Sequence, residues 1–538
     1  MAGAYLGVDV GTGSARAGVF DERGALLGAA KRDIPLYLAP GDIAEQSSRS
    51  IWEAVCAATR EAVEASGLDP ASIGGIGFDA TCSLVVLGPA DEPVPVGTSG
   101  DPERDIIVWM DHRAVAQAAR INATAHPVLR YVGGVISPEM ETPKLLWLKE
   151  NLPESFARAA NFLDLTDFLT FRATGSLARS SCTVTCKWTY LAHERRWDES
   201  YFRQVGLGEL ADEQFARIGT EIVPPGTPVG QGLTARAAAE LGLPVGTPVA
   251  AGLIDAHSGG LATVGAKGGQ GSLTSRLAYV MGTSACTMAT SVGPSFVPGV
   301  WGPYFDAMVP GFWLSEGGQS AAGAAIDHLV RMHPAAAETA ARAKADGIGL
   351  AEWLGRSALA AVPDPAEAIR LAGGIHVVPD FLGNRAPLAD PDARALITGL
   401  GLDTSLESLV GLYIAGIAGL GYGLRQILVA LEDSSLPIDT IVVSGGAGRS
   451  PLVRQLLADA TGLVVVAPET AEPVLLGGAM LAAVAGGRYP DLEAAMAAMS
   501  RFAESYRPAA AFRELHERRY ATYLKLQAAA QEARRAGG

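Results

Sequence analysis

Residues 5–27, YLGVDVGTGSARAGVFDERGALL, place Asp9, Thr12, Ser14 and Arg16 on a glycine turn between two apolar runs. That set suits a phosphate: the amides of a glycine turn, here at Gly11, can approach its oxygens, hydroxyls add short hydrogen bonds and an arginine brings positive charge. Asp9 would repel the anion unless a cation stood between them, which points to Mg2+ held through water. An ordinary tight turn is the bland alternative. A second stretch, LAYVMGTSACTMAT at 277–290, repeats the plan with Gly282, Thr283 and Ser284, and would grip the same polyphosphate from the opposite side. In VSGGAGRSPLVRQLLADATG, 443–462, residues Gly445, Gly446 and Ala447 offer bare backbone to the adenosine end of a nucleotide. Asp255, in VAAGLIDAHSGGLATVG at 249–265, stands where a strand passes into a helix, either as a general base or as a helix cap.

Elements that would position these groups alternate along the chain, which indicates an α/β protein. Strands are expected at AYLGVDV, ARAGVFD, IGGIGFDA, LVVLG, VAAGLIDA, LAYVMG, FWLSEG and DTIVVSGG. SIWE reads as a capping box with Ser50 starting a helix that Gly67 ends, and Pro451 opens a second helix with Leu452, Val453, Leu456 and Leu457 on one face. The uncharged run 408–424 is too short to span a bilayer and holds five glycines, so it is read as a buried helix. Residues 491–538 are read as helices with a polar tail. The repeated hairpin divides the chain into two related lobes meeting near residue 260, with a cleft between them as the place for a ligand.

A chain of 538 residues exceeds one core, and its 49% hydrophobic residues can fill two. With 42 basic and 57 acidic side chains the net charge is −15, which argues against nucleic acid or an anionic membrane as partner and leaves small molecules. No basic-then-apolar leader opens the sequence, and the five cysteines, Cys56, Cys82, Cys182, Cys186 and Cys286, suit a reduced, cytoplasmic protein. Cys182 and Cys186 lack a matching second ligand pair, so no metal is expected there.

Taken together, DxGTxSxR at Asp9–Arg16, GTS at Gly282–Ser284, SGGA at Ser444–Ala447 and LIDAH at Leu253–His257 resemble the FGGY carbohydrate kinases. The resemblance runs from the first strand to about residue 490. It implies two ribonuclease H-like lobes, as in actin, hexokinase and the heat-shock-70 ATPases, around an ATP and sugar cleft. The lobes would be 1–260 and 261–490, followed by a helical segment 491–538. It further implies Asp255 as catalytic base, with His257 in a supporting place, and ATP with Mg2+ as cofactors. TCSLV at 81–85, WMDHR at 109–113, PEMETPKLLWL at 138–148 and SEGGQSAAG at 315–323 are similar to the sugar-side segments of D-ribulokinases. They imply Thr81, Cys82, Ser83, Trp109, Asp111, Lys144 and Glu316 as substrate contacts. Each has a structural alternative: Cys82 as a small buried group, Trp109 as core, Asp111 with Arg113 as an ion pair, and Lys144 as a solvated helix-start lysine. Gly88 departs from the aspartate of that subgroup. The expected partners are a sugar or polyol and ATP, with a homodimer as candidate assembly. D-Ribulose is the expected substrate; L-ribulokinase, ribitol kinase and a non-catalytic actin-like ATP switch are the alternatives.

Overall fold

The computed structural model describes residues 3–268 and 270–537. Two mixed sheets dominate, and their centres repeat one another. In the first, strand Val249–Ile254 lies parallel to Ile73–Ala80, which lies parallel to Ala4–Val10; Ser14–Asp21 and Leu26–Asp33 then continue antiparallel. In the second, Val464–Pro468, Thr440–Ser444 and Arg276–Met281 are parallel, and Ala285–Ser291 and Trp313–Gln319 continue antiparallel. The hairpin echo seen in the sequence is therefore an echo of whole sheets. Both hairpin tips close with a glycine amide donating to a serine carbonyl, Gly11 N–H to Ser14 O three residues on at 3.0 Å and Gly282 N–H to Ser284 O two residues on at 2.9 Å.

Strand periodicity explains the first sheet's position. Ala4–Val10 is buried along its whole length, as expected of a central strand covered on both faces. One cover is helix Ser48–Ser66, capped by Ser47, whose hydroxyl accepts from Ser50 N–H, rather than by Ser50 itself; Gly67 ends it at φ 67°. The other is helix Pro473–Ala485, which comes from the second half of the chain. It lies flush because glycines meet: a Cβ on Gly7 would stand 1.9 Å from the Leu475 carbonyl oxygen. The halves thus share packing as well as a cleft.

Between the Leu26–Asp33 and Val249–Ile254 strands, the first half inserts a small five-stranded sheet that includes Leu84–Leu87 and Ile106–Ile107. It carries the loops with Thr81–Ser83 and Trp109. The apolar run 408–424 lies within helix Leu406–Asp433. Among the described residues this is the one helix long and apolar enough to cross a membrane, yet most of its apolar stretch is buried against Pro451–Thr461 and Gly323–Arg331. Truncating a fully buried member such as Leu420 should cost about 2–5 kcal/mol. The C-terminal segment is not wholly helical. Between helices Leu492–Met499 and Arg513–Gly537, strand Phe502–Tyr506 pairs with Val464–Pro468 and extends the second sheet.

Candidate active site

Parallel register brings carboxylates together at the strand ends of the first sheet. Asp9 and Asp79 are direct cross-strand partners, and Leu253, two residues before Asp255, pairs with Asp79 from the other side. The antiparallel hairpin sets Arg16 opposite Asp9, and its Nε donates to Asp9 Oδ2 at 2.7 Å. Arg16 also donates from Nη1 to Glu472 Oε2 at 2.8 Å, bridging the two halves of the molecule. Asp79 is fully buried; Ser258 Oγ donates to its Oδ2 at 2.9 Å, while Oδ1 has no partner. Burial, then the closeness of Asp9 and Asp255, push the Asp79 carboxyl well above the usual range. Asp255 opens helix Asp255–Val264, its Oδ1 accepting from Ala256 N–H at 2.7 Å. Burial and the neighbouring Asp9 raise its pKa to about 6.

Asp9 and Asp255, with Arg16 beside Asp9, form an oxygen donor set short of positive charge. Hard oxygen ligands of this kind fit Mg2+ bound through its water shell.

Asp9 and Asp255 line a cleft of about 940 Å3, and Asp79 is buried outside that lining. The lining includes Asp9, Gly11, Thr12, Ser14, Arg16 and Asp255 from the first half and Ser284 and Glu316 from the second. Thr12 is fixed by Trp109, whose Nε1 donates to its Oγ1 at 2.9 Å; Trp109, Thr81 and Cys82 also line the cleft. Gly282 and Thr283 form the second hairpin tip beside Ser284, though neither lines the cleft itself. Gly445, with φ 87°, lines a smaller neighbouring cavity of about 210 Å3 with Arg449 and Arg454. A Cβ there would come 2.5 Å from the Met281 carbonyl oxygen, so the bend needs glycine. Gly446 faces open space, and the Ala447 side chain lies outside the described residues.

On the sugar side the structure corrects three expectations. Lys144 does not reach the cleft: it is sealed in the core, donating to Glu141 Oε1 at 3.3 Å. Helix Glu141–Asn151 buries its first turn, because PKLLWL is apolar around the lysine. Asp111 is likewise buried and structural, accepting from Ala44 N–H at 2.7 Å and from Arg113 Nη2 at 2.7 Å. Ser83 is fully buried and holds the Trp109 backbone N–H at 3.1 Å, so it shapes the loop from behind.

The lysine that lines the cleft beside Glu316 is Lys187, with Arg385 in the same lining. Lys187 projects from helix Ser181–Trp188, all eight residues of which are buried, and its ammonium lies 5.1 Å over the Trp301 ring. Glu316 lines the same wall. Burial alone would raise its pKa, but Lys187, then His257 and Arg385, outweigh that and hold it at about 2. His257 is its direct partner, Nε2 to Glu316 Oε2 at 3.2 Å.

Asp79, Lys187, Glu472 and Arg385 escaped the sequence reading. Asp79 carried a signal, since GFDA ends a strand as GVDV does. Lys187 carried none, because a lysine in a short uniformly buried helix shows no periodicity pointing it anywhere.

Comparison with known proteins agrees with this architecture. Sequence profiles of the N-terminal and C-terminal domains of the FGGY family of carbohydrate kinases match residues 4–262 and 277–486. An FGGY carbohydrate kinase domain-containing protein of Homo sapiens is 46% identical over 530 residues, covering 97% of this chain and 96% of the human one. A D-ribulokinase of Saccharomyces cerevisiae is 40% identical over 511 residues, covering 89% of this chain and 72% of the yeast one. The crystal structure of xylulose kinase from Rhodospirillum rubrum superposes with a TM-score of 0.80 at 22% identity, covering 98% of this chain and 99% of that one, and shows the shared fold. The chain belongs to the FGGY family of carbohydrate kinases, ATP-dependent enzymes that phosphorylate sugars.

Proposed function

We propose that this kinase phosphorylates a ketopentose, D-ribulose, on its terminal hydroxyl to give D-ribulose 5-phosphate, with Asp255 as general base. One observation carries the reading: Asp255 lines the same cleft as Glu316 and Lys187, while the phosphate-type hairpin with Thr12 and Arg16 forms another part of its wall. The 40% identity to the yeast D-ribulokinase supports the choice of sugar.

In this reading Glu316 accepts from a sugar hydroxyl and Lys187 donates to another, with Thr81 and Cys82 limiting room around the chain. Asp255 orients the terminal hydroxyl and takes its proton as the bond to the γ-phosphorus forms. Its pKa of about 6 leaves it ionised at neutral pH and basic enough to receive that proton. Arg16 and the hairpin amides stabilise charge on the transferring group. Asp9, which lines the cleft, would hold Mg2+ through water, and the ion would neutralise polyphosphate charge when bound. Trp109 and the closed hairpin tips limit water at the phosphorus, the competing acceptor.

The test is ADP release with pentuloses, pentitols and glycerol as acceptors. D-Ribulose should exceed glycerol in kcat/KM by at least about 100-fold, because glycerol leaves two buried polar groups unpaired at roughly 1–3 kcal/mol each. A better rate with xylulose or glycerol would overturn the substrate; ADP release that no acceptor stimulates would overturn the sugar reading.

A further inference from the structure

Behind the sugar wall, outside the cleft lining, Cys182, Cys186 and His257 converge. The cysteines stand one helical turn apart on Ser181–Trp188 and so share a face, while His257 arrives from the first turn of Asp255–Val264. The two Sγ atoms and one imidazole nitrogen all lie within 4.8 Å of one another, and all three residues are fully buried. Two sulfurs and an imidazole are the donors of a soft or borderline cation, and no fourth Cys, His, Asp or Glu joins them among the described residues.

Two further contacts point the same way. His257 turns Nδ1 toward Cys182 Sγ at 3.2 Å and gives Nε2 to Glu316 at 3.2 Å. A carboxylate on the far nitrogen is what fixes the tautomer of a metal-ligating histidine. The Ile254 backbone N–H also donates to Cys182 Sγ at 3.4 Å, as backbone amides do toward ligating sulfurs.

We propose that Cys182, Cys186 and His257 form a site for one thiophilic cation of the zinc class, separate from the phosphate site. The two thiols release protons to solvent as they bind the cation, and three protein donors leave one position open. The bound ion would staple the helix carrying Lys187 to the helix that begins at Asp255, and through His257 it would hold Glu316.

The experiment is metal analysis of the whole enzyme purified from zinc-supplemented cells, and of enzyme refolded with Zn2+ or Cd2+. One zinc per chain is expected, lost in Cys182→Ser and in Cys186→Ser but kept in Cys56→Ser. Zinc should also raise the melting temperature of the wild type, by mass action on the folded state, and leave the serine variants unmoved. Should those variants fail to fold, the wild type still decides, because Cd2+ must give ultraviolet thiolate-to-metal absorption at one equivalent. No stoichiometric zinc by either route, no cadmium band, or zinc retained in both serine variants overturns the site. None of these readouts depends on which sugar is phosphorylated.

Discussion

Replacing Lys187 and Lys144 by Met in turn tests which lysine serves the sugar. The Lys187 change keeps most of the stem's volume and removes an ammonium that lies 5.1 Å over Trp301 in the cleft wall. Glu316 stands at about 2 against its usual 4.5, roughly 3 kcal/mol in favour of the carboxylate, and Lys187 is the largest contributor opposing its burial. A hydrogen bond from that ammonium to a sugar hydroxyl is worth about 1.5–3 kcal/mol, so kcat/KM for D-ribulose should fall about 10- to 150-fold. Most of the loss should appear in the sugar KM, with the ATP KM within about threefold. Lys144→Met should do the opposite. It strips the partner from a fully buried pair, a loss of about 3–5 kcal/mol when the remaining charge stays uncompensated. Burial already lifts Glu141 to about 7, so protonation softens the penalty toward the lower end. That variant should melt earlier yet keep its sugar KM. Initial rates by a coupled ADP assay, beside thermal melts, distinguish the two. A Lys144→Met enzyme with a sugar KM raised tenfold or more, and a Lys187→Met enzyme unchanged, would refute the assignment of Lys187.

Asp255→Asn keeps the shape and loses the proton acceptor, so kcat should fall about 100- to 10,000-fold while nucleotide binding, read by calorimetry, survives. In the wild type kcat/KM for the sugar should rise with pH to a plateau above about 6, because Asp255 acts only when ionised and its pKa stands near there; a profile flat from pH 5 to 8 contradicts its role as base. Asp9→Ala removes a carboxylate from the cleft wall where the cation would sit, and should raise the Mg2+ needed for half-maximal rate on the order of tenfold, with sugar binding unchanged in a nucleotide-free titration.

The geometry of the first hairpin was legible because it is local. Asp9, Thr12, Ser14 and Arg16 sit within one hairpin, and antiparallel pairing puts Arg16 opposite Asp9 with no help from the rest of the chain. Strand ends were nearly as readable: Asp255 was found at one, and Asp79 could have been, since parallel strands that start together end together. The sugar side depends on which face of a helix the whole fold turns inward. PKLLWL and CTVTCKW are both apolar around a single lysine; Glu141 stands one turn before Lys144, but nothing local says that this pair turns into the core while Lys187 lies over Trp301 in the cleft. The same reasoning accounts for Cys182 and His257, which touch across 75 residues of sequence. Cys182 and Cys186 show no second ligand pair in the sequence, so no metal was expected there, and His257, which lies beside them in the fold, arrives by the strand-to-helix turn that also delivers Asp255. A group placed by a turn can be read from its own neighbours, whereas a group placed by helix docking is fixed only when both partners are present. Sugar choice in this fold therefore depends on the part of the structure least visible from sequence, and Lys187 is where substitution should change it most directly.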